Sequence, residues 1–267
     1  MSRPYAEVIG DPIIQSKSPA IHGFWLAKLG IDAEYRACHV KPEDLATYFA
    51  ARLAEPDWRG CNITMPHKQA AIPLLDRIDP AAGSIGAVNT VVPDAGGLAA
   101  YNTDEPGFLE PLGDTRIARA CVIGAGGAAR AILIALAGRG VGSIVLQNRS
   151  IDKAQALLDE FGIAGEVVAL GGEAGVFDLL VNTSSLGMAG HPPLPEVEHG
   201  VVPGGTVYDI VTTPLDTDLL KRARARGLHT IDGLAMLIGQ AAVAFEKFFG
   251  RPAPRQFDAE LRALILK

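Results

Sequence analysis

The sequence predicts an α/β protein built from two domains. Along its 267 residues, short apolar runs alternate with helical patterns, which is typical of α/β proteins. From Arg119 onwards the pattern becomes a regular β-α-β-α-β succession, which predicts a parallel sheet with helices on both faces. A chain of this length suits one large domain or two modest ones.

The first half of the chain contains two predicted helices and four predicted strands. One helix covers Pro19–Leu29, with Ser18 as its N-cap, Pro19 in its first turn and Gly30 just past its end. The other covers Pro42–Leu53, with one apolar face made by Leu45, Tyr48, Phe49 and Leu53. The predicted strands are Ala6–Gly10, Ala33–Val40, Gly60–Thr64 and Ala87–Val92.

The second half supplies the regular alternation. Its predicted strands are Arg119–Ile123, Ser143–Gln147, Leu179–Val181 and Thr206–Ile210. Its predicted helices are Ala128–Arg139, Ile151–Phe161, Ala235–Phe249 and Asp258–Leu266. The pattern alone leaves open whether the last two helices close the second domain or pack on the first.

Composition excludes several classes of protein. A hydrophobic fraction of 48% with 20% charged residues is ordinary globular composition, and the net charge of −6 does not favour nucleic-acid or acidic-membrane binding. The odd number of scattered cysteines, Cys38, Cys61 and Cys121, argues against a disulfide framework or a zinc site and fits a reducing compartment. No apolar signal core or membrane span is apparent. We therefore expect a cytoplasmic protein without a metal.

A glycine-rich segment predicts a dinucleotide site. Gly124, Ala125, Gly126, Gly127 and Ala128 follow a predicted strand and open a predicted helix. In such a turn Gly124 permits the tight bend and Gly126 lets the backbone approach a pyrophosphate, while the helix N-terminus supplies amides and a positive dipole. A structural glycine turn is the alternative, but a second strand at the right distance favours cofactor binding.

The end of that second strand favours NADP over NAD. NAD-binding folds usually place an acid there for the ribose 2′-hydroxyl, whereas this chain has Asn148, Arg149 and Ser150, with Lys153 one turn later. Arginine and lysine suit a 2′-phosphate. A solvated loop arginine is the alternative interpretation, and the missing acid weighs against it.

Polar residues in the first half form a possible anion and hydroxyl site. Ser16 and Ser18 precede a predicted helix, where hydroxyls and free backbone amides can bind a carboxylate, although taken alone they are better explained as capping. Asn62 and Thr64 are two residues apart on one predicted strand and so share a face. Lys68 follows them closely.

Two further polar residues stand at predicted strand ends. Asn89 stands near the end of the segment Gly86–Thr90, and Asp104 follows Tyr101–Thr103. α/β folds place ligands at such ends. A lysine beside a carboxylate is a plausible proton-transfer pair for a dehydrogenase, although Lys68 on its own could be merely solvated. Together the set suits a polyhydroxylated ring acid.

The chain resembles the shikimate dehydrogenase family nearly end to end. The shared motifs occur in order along the sequence: Ser16–Ser18, Asn62–Lys68, Gly86–Thr90, Asn102–Asp104, Gly124–Ala128, Asn148–Ser150 and Asp232–Met236 through to Gln240. The resemblance implies NADP-dependent, reversible reduction of 3-dehydroshikimate to shikimate in aromatic amino-acid biosynthesis. It also implies a small-molecule substrate and no nucleic-acid or membrane partner, in a monomer or a homodimer.

The resemblance also implies residue roles. Ser16 and Ser18 would bind the substrate carboxylate, while Lys68 and Asp104 would form the catalytic pair, Asp104 also contacting substrate. Thr64, Asn89 and Gln240 would hold ring hydroxyls, with Asn62 lining the pocket. The cofactor would contact Gly124–Ala128 with its pyrophosphate, the segment from Asn148 to Lys153 with its 2′-phosphate, and Ile210 and Gly233 near its nicotinamide.

The resemblance further predicts the domain plan. An N-terminal α/β substrate-binding and catalytic domain would cover residues 1–103, and an NADP-binding Rossmann domain residues 104–234, with the site in a cleft between them. Residues 235–267 would form helices that return to the substrate domain.

Two positions depart from the family pattern. Thr212 stands where the family often has a substrate-contacting tyrosine, and Glu105 replaces the glycine after the Asn-Thr-Asp motif. If the family's glycine has a positive φ at this position, Glu105 would require a different local turn. Thr212 keeps open a quinate/shikimate or aminoshikimate dehydrogenase paralogue. A non-catalytic NADP-binding regulator is a further alternative, against which the intact Lys68 and Asp104 argue.

Overall fold

The computed structural model describes residues 3–266 and divides the chain into two compact units. One unit comprises the chain up to Gly107 together with the part from Leu237 onwards. The other comprises Phe108–Met236. In the described part of the chain, no helix has the length and apolar character needed to cross a membrane.

The first unit is built on a mixed six-stranded sheet. Its strands are β1 (Tyr5–Gly10), β2 (Glu34–His39), β3 (Trp58–Ile63), β4 (Arg77–Ile78), β5 (Thr90–Asp94) and β6 (Gly97–Tyr101). They are arranged in the order β2-β1-β3-β5-β6-β4. The strand β1 runs parallel to both of its neighbours, whereas β5 is antiparallel to β3 and β6.

Helices in this part of the chain follow the strand ends. They are α1 (Ser18–Leu29), α2 (Leu45–Leu53), α3 (His67–Ala70), α4 (Pro80–Ile85) and α5 (Asp104–Leu109). The left-handed Gly30, at φ 61°, ends α1 because its amide closes the last turn on the carbonyls of Ala27 and Leu26.

Several local predictions for this unit are wrong. Ser18 is the first helical residue and not the N-cap, which is Lys17, and no side chain caps the helix. Leu53, the last residue of α2, is 48% exposed and leaves the apolar face, and the residues Pro42–Asp44 form a tight turn before α2 begins. The strand predicted at Ala87–Val92 begins only at Thr90, since the Val88 amide donates to the Lys68 carbonyl.

The second unit confirms the predicted parallel sheet. Its strands are β7 (Arg119–Ile123), β8 (Ser143–Asn148), β9 (Gly165–Ala169), β10 (Phe177–Asn182), β11 (Val201–Asp209) and β12 (His229–Ile231). Their order is β12-β11-β10-β7-β8-β9, and every neighbouring pair is parallel. The chain therefore changes direction across the sheet between β7 and β10, the position at which such sheets bind ligands.

Helices cover both faces of this sheet, as predicted. The helices α6 (Gly127–Gly138) and α7 (Ile151–Phe161) pack against Val122, Leu146 and Val181. The helix α8 (Asp218–Ala225) packs with Ile123 and Leu180 on the opposite face. Strand residues alternate between faces, so successive residues of β7 contribute to different cores.

The last two helices are α9 (Gly233–Phe249) and α10 (Asp258–Ile265). From Leu237 onwards they belong to the first unit. There Phe245 packs edge-on against Trp25 and lies beside His22 of α1. The pattern of apolar residues in the sequence did not determine this packing partner.

An aromatic cluster surrounds His22. Its ring stacks on Tyr35 at 3.9 Å between centroids and meets the edge of Trp25. Both ring nitrogens are buried without a hydrogen-bond partner among the described residues. Burial lowers the pKa of His22 to about 3, because the charged imidazolium would lose its hydration there.

This burial predicts a loss of stability in acid. In the unfolded chain His22 binds a proton below pH 6.5, whereas the folded protein resists protonation down to about pH 3. The unfolded state therefore holds more protons in that window, and stability falls as the pH falls. As the pH falls from 6.5 to 4.5, His22 should lower the free energy of unfolding by about 2 kcal/mol.

Chemical denaturation of the wild type and of His22→Phe across that range measures this contribution. The variant keeps an aromatic ring at the stack, and its stability should decline less steeply with acid by about that amount. Parallel pH profiles for the two proteins would contradict the assignment.

Candidate active site

Lys68 and Asp104 form an ion pair in the first unit. The Lys68 Nζ donates to Asp104 Oδ2 at 2.5 Å, and the two side chains are 18% and 8% exposed. Lys68 lies in the short helix α3, directly after β3, and Asp104 begins α5 after β6. The structure thus brings together the two residues that the sequence proposed as a pair.

Backbone contacts fix the position of Lys68. Its carbonyl accepts from the Val88 amide at 2.8 Å. In the preceding residue, Nε2 of the buried His67 ring lies 2.7 Å from the Val40 carbonyl oxygen. The α3 turn is therefore held from two directions. His67 anchors this turn, and its ring makes no hydrogen bond to Asp104.

Asn89 holds the other oxygen of the carboxylate. Its Nδ2 donates to Asp104 Oδ1 at 2.9 Å, while its Oδ1 accepts from the Thr103 amide at 2.7 Å. The Asp104 amide in turn donates to the Asn102 side chain at 2.9 Å. Asp104 is thus fixed by its side chain and its backbone, so Oδ2 is directed at Lys68.

Gln240 of α9 joins the same network. Its Oε1 accepts from Thr103 Oγ1 at 3.2 Å and lies 3.5 Å from Asn89 Nδ2. The close approach of α5 makes this contact possible, since a Cβ on Gly107 would lie only 2.5 Å from the Gln240 amide nitrogen. Asn89 thus connects Asp104 with Gln240, so three of the residues proposed from the sequence lie in one network.

The Asn62 side chain is engaged mainly by protein groups. Its Nδ2 donates to the Asn89 carbonyl at 3.1 Å and to Thr90 Oγ1 at 3.0 Å, and its Oδ1 accepts from the Tyr35 hydroxyl at 2.6 Å. Its N–H bonds are thus already used within the protein.

Ser16, Ser18 and Thr64 complete the polar set of the first unit. Ser16 Oγ accepts from the Ser18 amide at 3.3 Å, which places both serines at the start of α1. Thr64 lies one residue beyond the end of β3, is partly exposed, and donates its amide to the Ile9 carbonyl at 3.0 Å. The structure shows no hydrogen bond from these residues to Lys68 or Asp104.

Glu105 does not strain the turn beside Asp104. It is the second residue of α5, and no residue other than glycine has a positive φ in the described chain. Its helical backbone is open to any residue, so Glu105 causes no strain beside Asp104.

The glycine-rich segment of the second unit has the shape of a phosphate-binding turn. Gly124 has φ 102°, and an added Cβ would lie 2.9 Å from Thr183 Oγ1, so only glycine fits. Gly126 precedes the first turn of α6, and an added Cβ there would meet nothing within 4 Å. Ala125, Gly127 and Ala128 are partly buried beside it. This open approach to a helix N-terminus fits a pyrophosphate.

The segment after β8 provides unpaired positive charge. Arg149 and Lys153 are exposed, and neither makes an ion pair within residues 3–266. Ser150 caps α7 by accepting from the Lys153 amide at 3.4 Å, and Asn148 donates to the Ser150 carbonyl at 2.8 Å. Hydrogen bonds thus hold the turn, while its two cations point to no acidic partner among the described residues and are available to a phosphate.

Ile210, Thr212 and Gly233 lie beyond the end of β11 in the same unit. Gly233 begins α9 so close to the chain that an added Cβ would overlap the Ile210 carbonyl oxygen and lie 2.5 Å from that of Val211. Thr212 is partly buried, and its side chain makes no hydrogen bond to the described residues.

Sequence reasoning missed Thr90, Thr103 and Tyr35. Thr90 and Thr103 are fully or almost fully buried and connect Asn89 to its neighbours. Both are adjacent to residues that the motifs did identify, which was an available signal. Tyr35 belongs to β2, a different strand, and nothing in its local pattern indicates the bond to Asn62.

Comparisons with known protein families match three segments of the chain. Residues 8–91 match the profile of the shikimate dehydrogenase substrate binding domain. Residues 109–172 match that of shikimate / quinate 5-dehydrogenase, and residues 233–257 that of the shikimate 5'-dehydrogenase C-terminal domain.

Similar proteins align over almost the whole chain. The shikimate dehydrogenase (NADP(+)) of Sphingopyxis alaskensis is 56% identical over 98% of this chain and 97% of its own. The crystal structure of the Thermus thermophilus shikimate 5-dehydrogenase with NADP(H) and shikimate has a TM-score of 0.87 at 37% identity, covering 98% and 99% of the two chains.

A quinate dehydrogenase is also similar. The Corynebacterium glutamicum enzyme in complex with NAD has a TM-score of 0.88 at 32% identity, over 98% of this chain and 99% of that one. Both the sequence matches and the structural matches thus extend along the full length. The chain belongs to the shikimate dehydrogenase family.

Proposed function

We propose that this protein is a shikimate dehydrogenase that reversibly reduces 3-dehydroshikimate to shikimate with NADPH. The observation that carries the proposal is the Lys68–Asp104 pair, fixed by Asn89 within a network of buried amides and hydroxyls. The Sphingopyxis relative, 56% identical over nearly the whole chain, bears the same activity in its name.

The residues of the first unit suit a ring acid with hydroxyl groups. Ser16 and Ser18 at the start of α1 offer hydroxyls and backbone amides for a carboxylate. Thr64, Asn89 and Gln240 offer donors and acceptors for ring hydroxyls, and Asp104 adds an acceptor. Asn62 lies behind Asn89 and shapes this wall of the site.

Lys68 handles the proton in this mechanism. NADPH held by the second unit would supply a hydride to the carbonyl carbon of the substrate, and the carbonyl oxygen would then need a proton. The Lys68 Nζ either donates that proton or stabilises the oxyanion while a water relays it. Asp104 Oδ2 lies 2.5 Å from Lys68 Nζ and orients it. When shikimate is oxidised, Lys68 Nζ accepts the proton.

The second unit fits NADP in its residues. The open space at Gly126 and the free amides at the start of α6 suit a pyrophosphate, and Gly124 provides the bend that exposes them. Arg149 and Lys153 would hold the 2′-phosphate, with Asn148 and Ser150 shaping the turn. Ile210 and Gly233 would border the nicotinamide, and Thr212 the substrate.

We also propose a cytoplasmic location. Cys38, Cys61 and Cys121 are all free thiols, and the last two are buried, which is compatible with a reducing compartment. Burial raises the pKa of the Cys121 thiol to about 12, so it stays protonated and unreactive.

The direct test is an assay of nicotinamide reduction by the purified protein. Shikimate and quinate should each be crossed with NADP and NAD. We expect fast turnover with shikimate and NADP and much slower turnover in the other combinations. The proposal fails if the protein binds NADP yet turns over no ring acid.

A quinate-active paralogue is the second candidate. Thr212 favours it, because a threonine leaves more room than a tyrosine for the additional hydroxyl of quinate. The free cations Arg149 and Lys153 favour NADP, whereas the similar quinate dehydrogenase was crystallised with NAD. Faster turnover of quinate than of shikimate would decide for this candidate.

Replacing Lys68 should remove the proton-transfer group. We expect Lys68→Ala to lower kcat by about 10²- to 10⁴-fold, the usual contribution of a positioned acid or base, with a much smaller change in KM for shikimate. Steady-state kinetics measure this split. Lys41→Ala, which removes an exposed lysine of the same unit, is the control and should match the wild type. Near-normal turnover of the Lys68 variant would exclude the assigned role.

Replacing Arg149 should reduce the preference for NADP. A charge-assisted hydrogen bond contributes about 1.5–3 kcal/mol, so Arg149→Ala should raise KM for NADP by roughly 10- to 100-fold and leave KM for NAD unchanged. Arg116→Ala is the control, because this exposed arginine precedes β7 at the opposite end of the strands. An equal effect on both cofactors would contradict a 2′-phosphate contact.

A further inference from the structure

Tyr35 is connected to the active-site carboxylate by a chain of side-chain hydrogen bonds. The path runs from the Tyr35 hydroxyl to Asn62, on to Thr90, then to Asn89, and ends at Asp104. The four contacts measure 2.6, 3.0, 3.0 and 2.9 Å. All five residues are 8% exposed or less.

The β-sheet places Tyr35 within reach of Asn62. On β2, Tyr35 is in register with Ala6, and on β3, Asn62 is in register with Val8. Residues in register share a face of a sheet, so the tyrosine reaches across β1 over small side chains. The stacked His22 ring holds the phenol from above at 3.9 Å.

The chain has a defined donor direction. A phenol that donates to Asn62 Oδ1 requires the Asn62 Nδ2 to face Thr90 and the Asn89 carbonyl. The Thr90 oxygen then receives an N–H, so its own proton points at Asn89 Oδ1. Because Oδ1 of Asn89 is occupied by these donors, Nδ2 faces Asp104.

Burial keeps the first donor in its protonated form. It holds the pKa of the Tyr35 phenol well above its ordinary value of 10, so the hydroxyl keeps its proton at neutral pH and can donate it. The three members between Tyr35 and Asp104 are the neutral amides of Asn62 and Asn89 and the hydroxyl of Thr90. None of them can reverse its direction by titration.

We infer that Tyr35 is a positioning residue, which acts through Asn62, Thr90 and Asn89 to direct Asp104 at Lys68. Its effect on catalysis rests on the proposed dehydrogenase function, in which Asp104 orients the proton donor. Tyr35 itself touches neither Lys68 nor Asp104 by a hydrogen bond. Its loss should therefore weaken the alignment of the pair, while the proposed substrate contacts outside the chain, at Ser16, Ser18 and Thr64, stay in place.

The kinetic test compares Tyr35→Phe with Tyr48→Phe. Tyr48 is an apt control because it is also 8% exposed, and its hydroxyl donates to Glu7 at 2.8 Å on the other face of β1. We expect Tyr35→Phe to lower kcat about tenfold, less than the ~10²-fold that a 1 Å misplacement can cost, with KM unchanged. Tyr48→Phe should lose thermal stability without loss of kcat.

A double variant identifies the route of the effect. If Tyr35 acts through Asn62, Tyr35→Phe should cause no further loss of kcat in an Asn62→Ala background. The same factor in both backgrounds would overturn the inference, and so would equal losses in Tyr35→Phe and Tyr48→Phe. Thr90→Val removes the next hydroxyl without changing the side-chain shape and should reproduce the kcat loss if Tyr35→Phe folds poorly.

A readout independent of activity separates this inference from the proposed function. In ¹⁵N-labelled protein, the side-chain amide signal of Asn89 should shift in Tyr35→Phe and stay in place in Tyr48→Phe. An unchanged Asn89 signal in Tyr35→Phe would refute the chain even if the enzyme reduces 3-dehydroshikimate. A shifted signal in a protein without dehydrogenase activity would refute only the proposed function.

Discussion

The ion pair between Lys68 and Asp104 is the interaction around which the polar network of the first unit is arranged. Two opposite charges that are largely removed from water need further hydrogen bonds, because their mutual attraction alone rarely offsets the cost of desolvation. Asn89 meets that need at one carboxylate oxygen, and the Asn102 side chain fixes the backbone at Asp104. The buried amides around the pair therefore follow from the pair itself.

The ion pair joins residues that follow a parallel strand and a strand reached by antiparallel pairing. Lys68 follows the parallel strand β3, whereas Asp104 follows β6, which is reached through two antiparallel pairings. A mixed sheet lets consecutive chain segments return to one end, so that α3, Asn89 and α5 contact each other. In the second unit all strands are parallel, so they end on one side of the sheet. The Gly124 turn follows β7 there, and the Arg149 segment follows β8.

The sequence pattern predicted the parallel sheet and the glycine turn, because each depends on periodicity or on a motif with a physical reason. The pairing of Lys68 with Asp104 followed from the resemblance to the family. The pattern did not predict the short strands β4 and β12, whose two and three residues carry no period. The Tyr35–Asn62 contact was also beyond reach, because it depends on the register between strands. Ser18 was assigned as a cap from its type and position, yet the chain enters α1 one residue earlier, at Lys17.

The central claim is that Lys68 and Asp104 act as one unit in proton transfer. The most direct measurement is kcat/KM for shikimate oxidation by the wild type, Lys68→Ala, Asp104→Asn and the double variant. Groups that act as a unit show strongly non-additive losses, so the double variant should be no slower than the slower single variant. A double variant whose loss equals the product of the two single losses would contradict this account.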